Sequence, residues 1–275
     1  MPDVDQNRSE WNEPARWHAA GDEWSVTWGG VEAHWFGALY PRVHAYLPAR
    51  TVLEIAPGHG RWTQYLRRWC EKLVIVDLSE TCINECRKRF ATATNIEYHV
   101  NDGMSLPMIP DRTIDFAFTF DSLVHAEIDV IDAYLRELAR TLSPNGVAFI
   151  HHSNAGEYRR RLTLLKRVPH RVLAYLKQLN FDHWRAYSVT AGEVERLARR
   201  AGLVCISQEL VNWGNRFPVD RCLIDCFSTL TPVHSARARP NRILRNHDFM
   251  KEAHLIAAVA PLYPSGGPVR TKETG

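Results

Sequence analysis

Residues 51–60 read TVLEIAPGHG. A short apolar run of strand character ends in a turn built on Pro57, Gly58 and Gly60, and Trp62, Tyr65, Leu66, Trp69 and Cys70 then recur at helical spacing. The same texture repeats downstream. LVIVD (73–77) reads as a second buried strand, followed by the helix-like SETCINECRKRF (79–90); NIEYHV (95–100) reads as a third. TIDFAFTF (113–120) is a fourth, followed by a helix through Val130, Ile131, Tyr134, Leu135, Leu138 and Leu142. SPNG (143–146) stops that helix, and GVAFIHHS (146–153) is a fifth strand. Strands alternating with helices predict right-handed βαβ units on a mainly parallel sheet. The fold class is therefore α/β, Rossmann-like and doubly wound.

Outward from that core the texture changes. Residues 1–16 are polar and expected to be frayed. Residues 17–48 carry Trp17, Trp24, Trp28 and Trp35 among Gly29, Gly30, Gly37 and Pro41. They predict an aromatic cap that either extends the core or faces a substrate. The main domain is expected over 49–263, with a helical insertion at about 155–185. After it, GEVERLARRAGL (192–203) predicts a helix stopped at Gly202, and LVCISQELVNW (203–213) and RCLIDCFSTL (221–230) predict two late strands, the second antiparallel at an edge. FMKEAHLIAAVAPLY (249–263) predicts a late helix, and 264–275 a disordered tail.

The chain has 275 residues, 45% hydrophobic and 24% charged, which suffices for a substantial core. No run approaches the roughly 18 apolar residues of a membrane helix. The opening MPDVDQNRSEWNEPARW lacks an apolar signal core, so a cytoplasmic protein with reduced thiols is expected. Its 6 cysteines include no CxxC pair. The formal charge is +3, but Arg159, Arg160, Arg161, Lys166, Arg167 and Arg171 stand together against Glu157 alone. That concentration is unlike a uniformly basic nucleic-acid binder and reads most simply as a solvated helix face.

The loop at 56–60 lets backbone approach a ligand closely and offers helix amides to an anion. Thr63 stands where a dinucleotide fingerprint wants its third glycine. Asp77 ends the second strand, where a carboxylate can accept both hydroxyls of a ribose, although an Asp after a strand is by itself more often a cap of the next helix, here beside Ser79. Asp102 follows the third strand and can also be an ordinary Asp-Gly turn. Ligands of open parallel sheets bind at these carboxyl ends, so three such features in successive loops reinforce one another.

LEIAPGHG, the acid at Asp77 and the NDG at 101–103 resemble the cofactor motifs of class I S-adenosylmethionine-dependent methyltransferases, over roughly residues 50–155. The resemblance implies S-adenosyl-L-methionine as cofactor. Glu54 and the loop of Ala56, Gly58 and Gly60, continued by Trp62 and Thr63, would hold the methionine part. Asp77 and Leu78 would hold the ribose. Asp102, Gly103 and Met104 would meet the adenine, and Asp121 would close the site. Ala56 departs from the family's more frequent glycine and is tolerable where φ is not positive.

The fourth and fifth strand ends carry the acceptor chemistry in this reading. DSLVHAE (121–127) is not the signature of amino-group methylation on nucleic-acid bases, and no Pro-Cys nucleophile occurs. An aliphatic hydroxyl needs a base, and a neutral imidazole suits that role at pH 7. The expected bases are His152 first, His125 second and His151 third, with Asp121 beside them; each histidine can alternatively be a hydrogen-bonded structural residue. A minority alternative is a Mg2+ site on Asp121, His152 and Asn154. DSLVHAE followed by HHSN resembles methyltransferases of sugars and polysaccharides, including the methylmannose polysaccharide type. A sugar or glycan O-methyltransferase with a saccharide or small-molecule acceptor, and a possible homodimer, is the expected protein. The alternatives are O- or N-methylation of a polyketide, phenolic or peptide product, and a nucleic-acid-binding methyltransferase-like protein using 158–171 and Arg237, Arg239, Arg242 and Arg245.

Thr63 in place of the third glycine keeps helix and strand too far apart for a pyrophosphate. Calorimetry should therefore detect no binding of NAD or NADP, and tight binding of either would overturn the reading of this loop.

Overall fold

The computed structural model describes residues 3–169, 171–172, 184–214 and 221–262. Eight strands form one sheet: β1 (Ala49–Ile55), β2 (Cys70–Asp77), β3 (Ile96–Val100), β4 (Ile114–Thr119), β5 (Leu142–Ser153), β6 (Leu203–Val211), β7 (Asp225–Pro232) and β8 (Arg242–Asn246). Their order is β3-β2-β1-β4-β5-β7-β6-β8. The pairs among β1 to β5 are parallel, and β7 runs antiparallel to both β5 and β6. RCLIDCFSTL is thus antiparallel as expected, but it lies between β5 and β6 and not at an edge. The edge is β8, pairing parallel with β6, which its polar sequence RILRN does not announce.

Seven α-helices are used below: α1 (Val4–Asn12), α2 (Thr63–Leu66), α3 (Glu80–Arg89), α4 (Ile128–Thr141), α5 (Arg159–Leu165), α6 (Ala191–Ala201) and α7 (Phe249–Val259). The expected helix across Trp62–Cys70 shrinks to α2, because Cys70 already belongs to β2. Helix α4 ends at Thr141, and SPNG falls inside the long β5. Gly202, at φ 93, closes α6 as expected.

Both faces of the sheet are covered, and side chains alternate between them. Leu53, Ile55, Ala117, Ala148 and Ile150 pack with α4 and α6. Val52, Phe116, Phe118, Val147, Phe149 and Phe227 face the opposite layer of cap, α2, α3 and α7. Residues 22–46 are a chain of short helical turns in which Trp28 and Trp35 are core residues, 2% and 0% exposed. Arg42 ties this cap to the late part of the fold: Nε and Nη2 donate to Glu209 at 2.8 and 2.7 Å, and Nη2 also reaches Glu252 at 3.2 Å.

The stretch expected to be frayed is ordered over residues 4–16. Asp3 caps α1 in a reciprocal box with Gln6, and a short turn at Pro14–Arg16 follows. Of the expected insertion, Ala155–Tyr158 and α5 are helical; residues 170 and 173–183, and the expected tail at 264–275, lie outside the described residues.

Gly29 sits at φ 83, and a Cβ there would meet the Ala257 backbone of α7 at 2.9 Å. Both conformation and space demand glycine. Gly29→Ala should cost about 1–3 kcal/mol in denaturant unfolding; an unchanged midpoint would show that cap and α7 do not pack this closely.

Candidate active site

At the end of β1 the chain turns through three left-handed residues, Ala56 (φ 55), Gly58 (φ 58) and Gly60 (φ 87). The condition for tolerating alanine at 56 is therefore not met, and its methyl carries strain of order 1 kcal/mol. The two glycines are required for space as well. A Cβ at Gly58 would lie 2.5 Å from the Trp17 ring, and one at Gly60 would lie 2.4 Å from Phe90. Asp77 holds this loop from β2: its carboxylate accepts from the Gly58 amide at 3.1 Å and the Ser79 amide at 2.9 Å. The helix cap of α3 is Ser79, which accepts from Cys82 N, so Asp77 is free of that duty. Burial pushes the Asp77 carboxyl up to about 6.

Above this loop lies a cavity of about 400 Å³. The strand order sets its two ends. Leu78 and Gly103, at the ends of β2 and β3, form one end, with Val4 of α1 3.0 Å from where a Gly103 Cβ would be. Arg61, Trp62, Phe120, Asp121 and Ser122 form the other. Helix α1 and the tryptophans Trp11, Trp17 and Trp24 cover it. Those rings touch one another at 4.9–5.9 Å, and Trp17 stacks on His59 at 3.8 Å.

The expected cofactor residues divide. Ala56, Gly58 and Trp62 line the cavity, as do Asp77, Leu78, Gly103 and Asp121. Glu54, Gly60, Thr63, Asp102 and Met104 are not in its wall. Glu54 points into the cap layer with Val52 and accepts the Thr63 hydroxyl at 2.6 Å, tying α2 to β1. Its other oxygen has no partner among the described residues, and burial pushes its carboxyl up to about 8, so it is neutral at pH 7. Asp102 closes its own turn by accepting from the Met104 and Ser105 amides and the Ser105 hydroxyl.

The histidines correct the expected ranking. His152 is fully buried and is not in the cavity wall. Nδ1 bonds the Ser153 carbonyl and Nε2 the Ser228 hydroxyl, both at 2.8 Å. Burial holds it down at about 4. With both nitrogens engaged in the core, it is a structural histidine and not the base. His151 lies beside Phe120 and Phe227 in the cap layer, is not in the cavity wall and is also fully buried, its Nδ1 accepting from the Asp121 amide at 3.1 Å. His125 differs. Its Nδ1 donates to the Trp184 carbonyl at 3.2 Å, which leaves the lone pair on Nε2. His125 is not itself in the cavity wall, but its ring lies 5.7 Å from Trp11, which is, and burial lowers its pKa to about 4. The Mg2+ alternative fails on donors: Asn154 donates to Leu223 O at 2.7 Å and accepts from Ala191 N at 2.8 Å, and His152 has no free nitrogen. Among the described residues no group of three or more His, Cys, Asp or Glu side chains could hold a metal.

Several site residues escaped the sequence reading. Arg61 donates to Asp121 at 2.8 Å, and its guanidinium lies 4.6 Å from the Trp62 ring and 5.4 Å from Trp24. Its place immediately after Gly60 was the available signal. Arg185 and Asp225, paired at 2.9 and 2.7 Å, come from segments far apart in the chain and gave none.

The sheet order is that of the Rossmann-like class I methyltransferase fold, and the left-handed loop after β1 and the carboxylate ending β2 stand where such a fold would hold its cofactor. Comparison with known proteins points the same way: residues 52–146, about a third of the chain, match the methyltransferase domain family. Over 127 residues it is 25% identical to the "Probable S-adenosylmethionine-dependent methyltransferase" of Mycobacterium tuberculosis, an alignment covering 45% of this chain and 44% of that one. The chain thus aligns with less than half the length of this relative. Two solved structures share the fold: a protein of Pyrococcus horikoshii (24% identity, TM-score 0.51, 70% of this chain and 87% of that one) and DhpI in complex with S-adenosylhomocysteine (19% identity, TM-score 0.54, 83% and 96%).

The cavity fits the cofactor of that family: a ribose can be held by Asp77, and an adenine can lie between Leu78, Gly103 and Val4. Ribose hydroxyls donate to an ionised carboxylate, so affinity for S-adenosylhomocysteine should fall as pH drops through about 6, where the buried Asp77 takes up a proton. Asp77→Ala should cost roughly 1.5–3 kcal/mol of binding at pH 8 and flatten that dependence in calorimetry. An unchanged affinity in a folded variant would remove Asp77 from the site.

Proposed function

We propose that this chain is an S-adenosylmethionine-dependent O-methyltransferase that methylates a hydroxyl of a sugar or glycan, with His125 accepting the proton. When bound, S-adenosylmethionine supplies an electrophilic methyl group, its sulfur leaving with the electrons of the C–S bond. The chain's own task is to align the acceptor oxygen and remove its proton. His125 carries the reading: of the three candidate histidines, it alone has a nitrogen lone pair left unengaged, and the Trp184 carbonyl selects that tautomer. The indole faces of Trp11, Trp17 and Trp24 suit the apolar face of a pyranose, and Asp121 and Glu127 in the same wall suit its hydroxyls. The resemblance of DSLVHAE and HHSN to sugar methyltransferases supports the same acceptor.

One observation favours a second reading. The cavity is roofed by α1 and confined to about 400 Å³, which suits a small polyketide, phenolic or peptide acceptor better than a polymer. Labelled methyl transfer to a panel of mannosides and other monosaccharides, set against phenolic acceptors, separates the two. Transfer to phenols alone would overturn the sugar reading.

With a competent acceptor, His125→Ala should lose roughly 10²–10⁴-fold in turnover at nearly unchanged cofactor affinity. The acidic limb of the rate profile should lie near 4, where burial places His125, and not near the ordinary histidine value. His152→Ala should lower stability while leaving the turnover of folded enzyme largely intact; a turnover loss as deep as that of His125→Ala would return His152 to the mechanism.

A further inference from the structure

Asp121 is a non-glycine residue at φ 64, in the cavity wall at the end of β4. Such a conformation persists only when the surroundings over-determine it. Here they do. The Asp121 amide donates to His151 Nδ1 at 3.1 Å. The opposite ring nitrogen, Nε2, lies 3.2 Å from Asp225 Oδ2. Asp225 is paired through both oxygens with Arg185, whose Nη2 lies 4.0 Å from Asp121 Oδ1, and Arg61 donates to Asp121 Oδ2 at 2.8 Å. Asp121, His151, Asp225 and Arg185 close a ring to which Arg61 is attached through Asp121, and the formal charges of the two carboxylates and two guanidiniums cancel when His151 is neutral. His151, Asp225 and Arg185 have side chains 0–3% exposed, whereas the Asp121 carboxylate keeps 17% exposure.

We propose that His151 is a positioning residue: with Asp225 behind it, it holds the Asp121 amide so that the Asp121 carboxylate is presented to the methyl-transfer end of the cavity. The inference rests on the cofactor reading above. An amide that donates to Nδ1 requires the proton on Nε2, which faces Asp225 Oδ2 at 3.2 Å. The two guanidiniums keep Asp121 ionised, because they outweigh the burial that would push its carboxyl up. Asp121 therefore complements positive charge at the reacting sulfur and is no general base.

The test needs no acceptor. Sinefungin carries an ammonium group where S-adenosylmethionine carries its methyl, so the ratio of its affinity to that of S-adenosylhomocysteine reads the charge facing that point. The wild type should prefer sinefungin, and Asp121→Asn should reduce the preference about tenfold. In His151→Asn the amide oxygen takes the place of Nδ1 and the preference should stay within about twofold. In His151→Gln the amide group reaches instead toward Nε2, and the preference should fall as in Asp121→Asn, with S-adenosylhomocysteine affinity within about threefold. Equal preference in all four proteins, or parallel weakening of both ligands in His151→Gln, would overturn the proposal. Wild-type ring ¹⁵N shifts test it independently of any variant: an unprotonated Nδ1 supports it, and a protonated Nδ1 overturns it. Failure of the wild type to bind S-adenosylhomocysteine would instead remove the cofactor reading, and this proposal with it.

Discussion

The site depends first on Asp77. Its carboxylate accepts from the amides of Gly58 and Ser79, joining the loops that follow β1 and β2. Those amides lie at the mouth of the parallel sheet, where no strand partner remains to satisfy them, and one buried acid does so. The burial that this requires is what raises the acid toward neutrality. One group therefore both ties the two loops together and titrates near neutrality, ionised above its raised pKa and protonated below it.

Two-sided burial of the sheet then decides which chemistry reaches the cavity. Consecutive residues of a strand point to opposite layers, so His151 and His152 meet different surroundings. His151 looks toward Phe120 and the cap, with ring centres 4.6 Å apart, and His152 toward Ser228 beneath α6. The same parity sends Glu54 into the cap layer beside Val52 and Ile55 into the α4–α6 layer. A strand-end acid is thereby turned from a ligand contact into a tether for Thr63.

The cap does more than extend the core. Trp28 and Trp35 are buried in it, while Trp24 reaches the cavity wall, and so do Trp17 and Trp11 of the preceding segment. Among the described residues Nε1 of Trp28, Trp35 and Trp62 and Nε2 of His34 have no hydrogen-bond partner, whereas His34 Nδ1 bonds the Ser25 hydroxyl at 3.1 Å. Their neighbours are other rings: Trp62 meets His34 and Phe120 edge-on, at 90° and 4.9–5.6 Å. Aromatic contact compensates in part for donors that water no longer reaches. This layer trades polar satisfaction for rigidity next to the site.

The alternation of strand and helix was legible from residue 51 to 153, because apolar runs and their Gly and Pro stops are local signals. So were the glycine turn, the acid at Asp77 and the antiparallel sense of β7. What sequence alone left undecided was whatever depended on a partner far along the chain. The central position of β7 follows from its pairing with β5, and β8 exists only through its pairing with β6. The polar opening segment becomes a roof because Trp11 finds Trp17 and Trp24, and Asn12 finds Ser79. Ala56 looked tolerable until its φ was seen. Likewise His125, His151 and His152 are chemically identical in the sequence. Only burial and the atoms opposite each ring nitrogen distinguish a core histidine, a positioning histidine and one with a lone pair to offer, because those atoms come from residues 121, 153, 184, 225 and 228, brought together by the sheet.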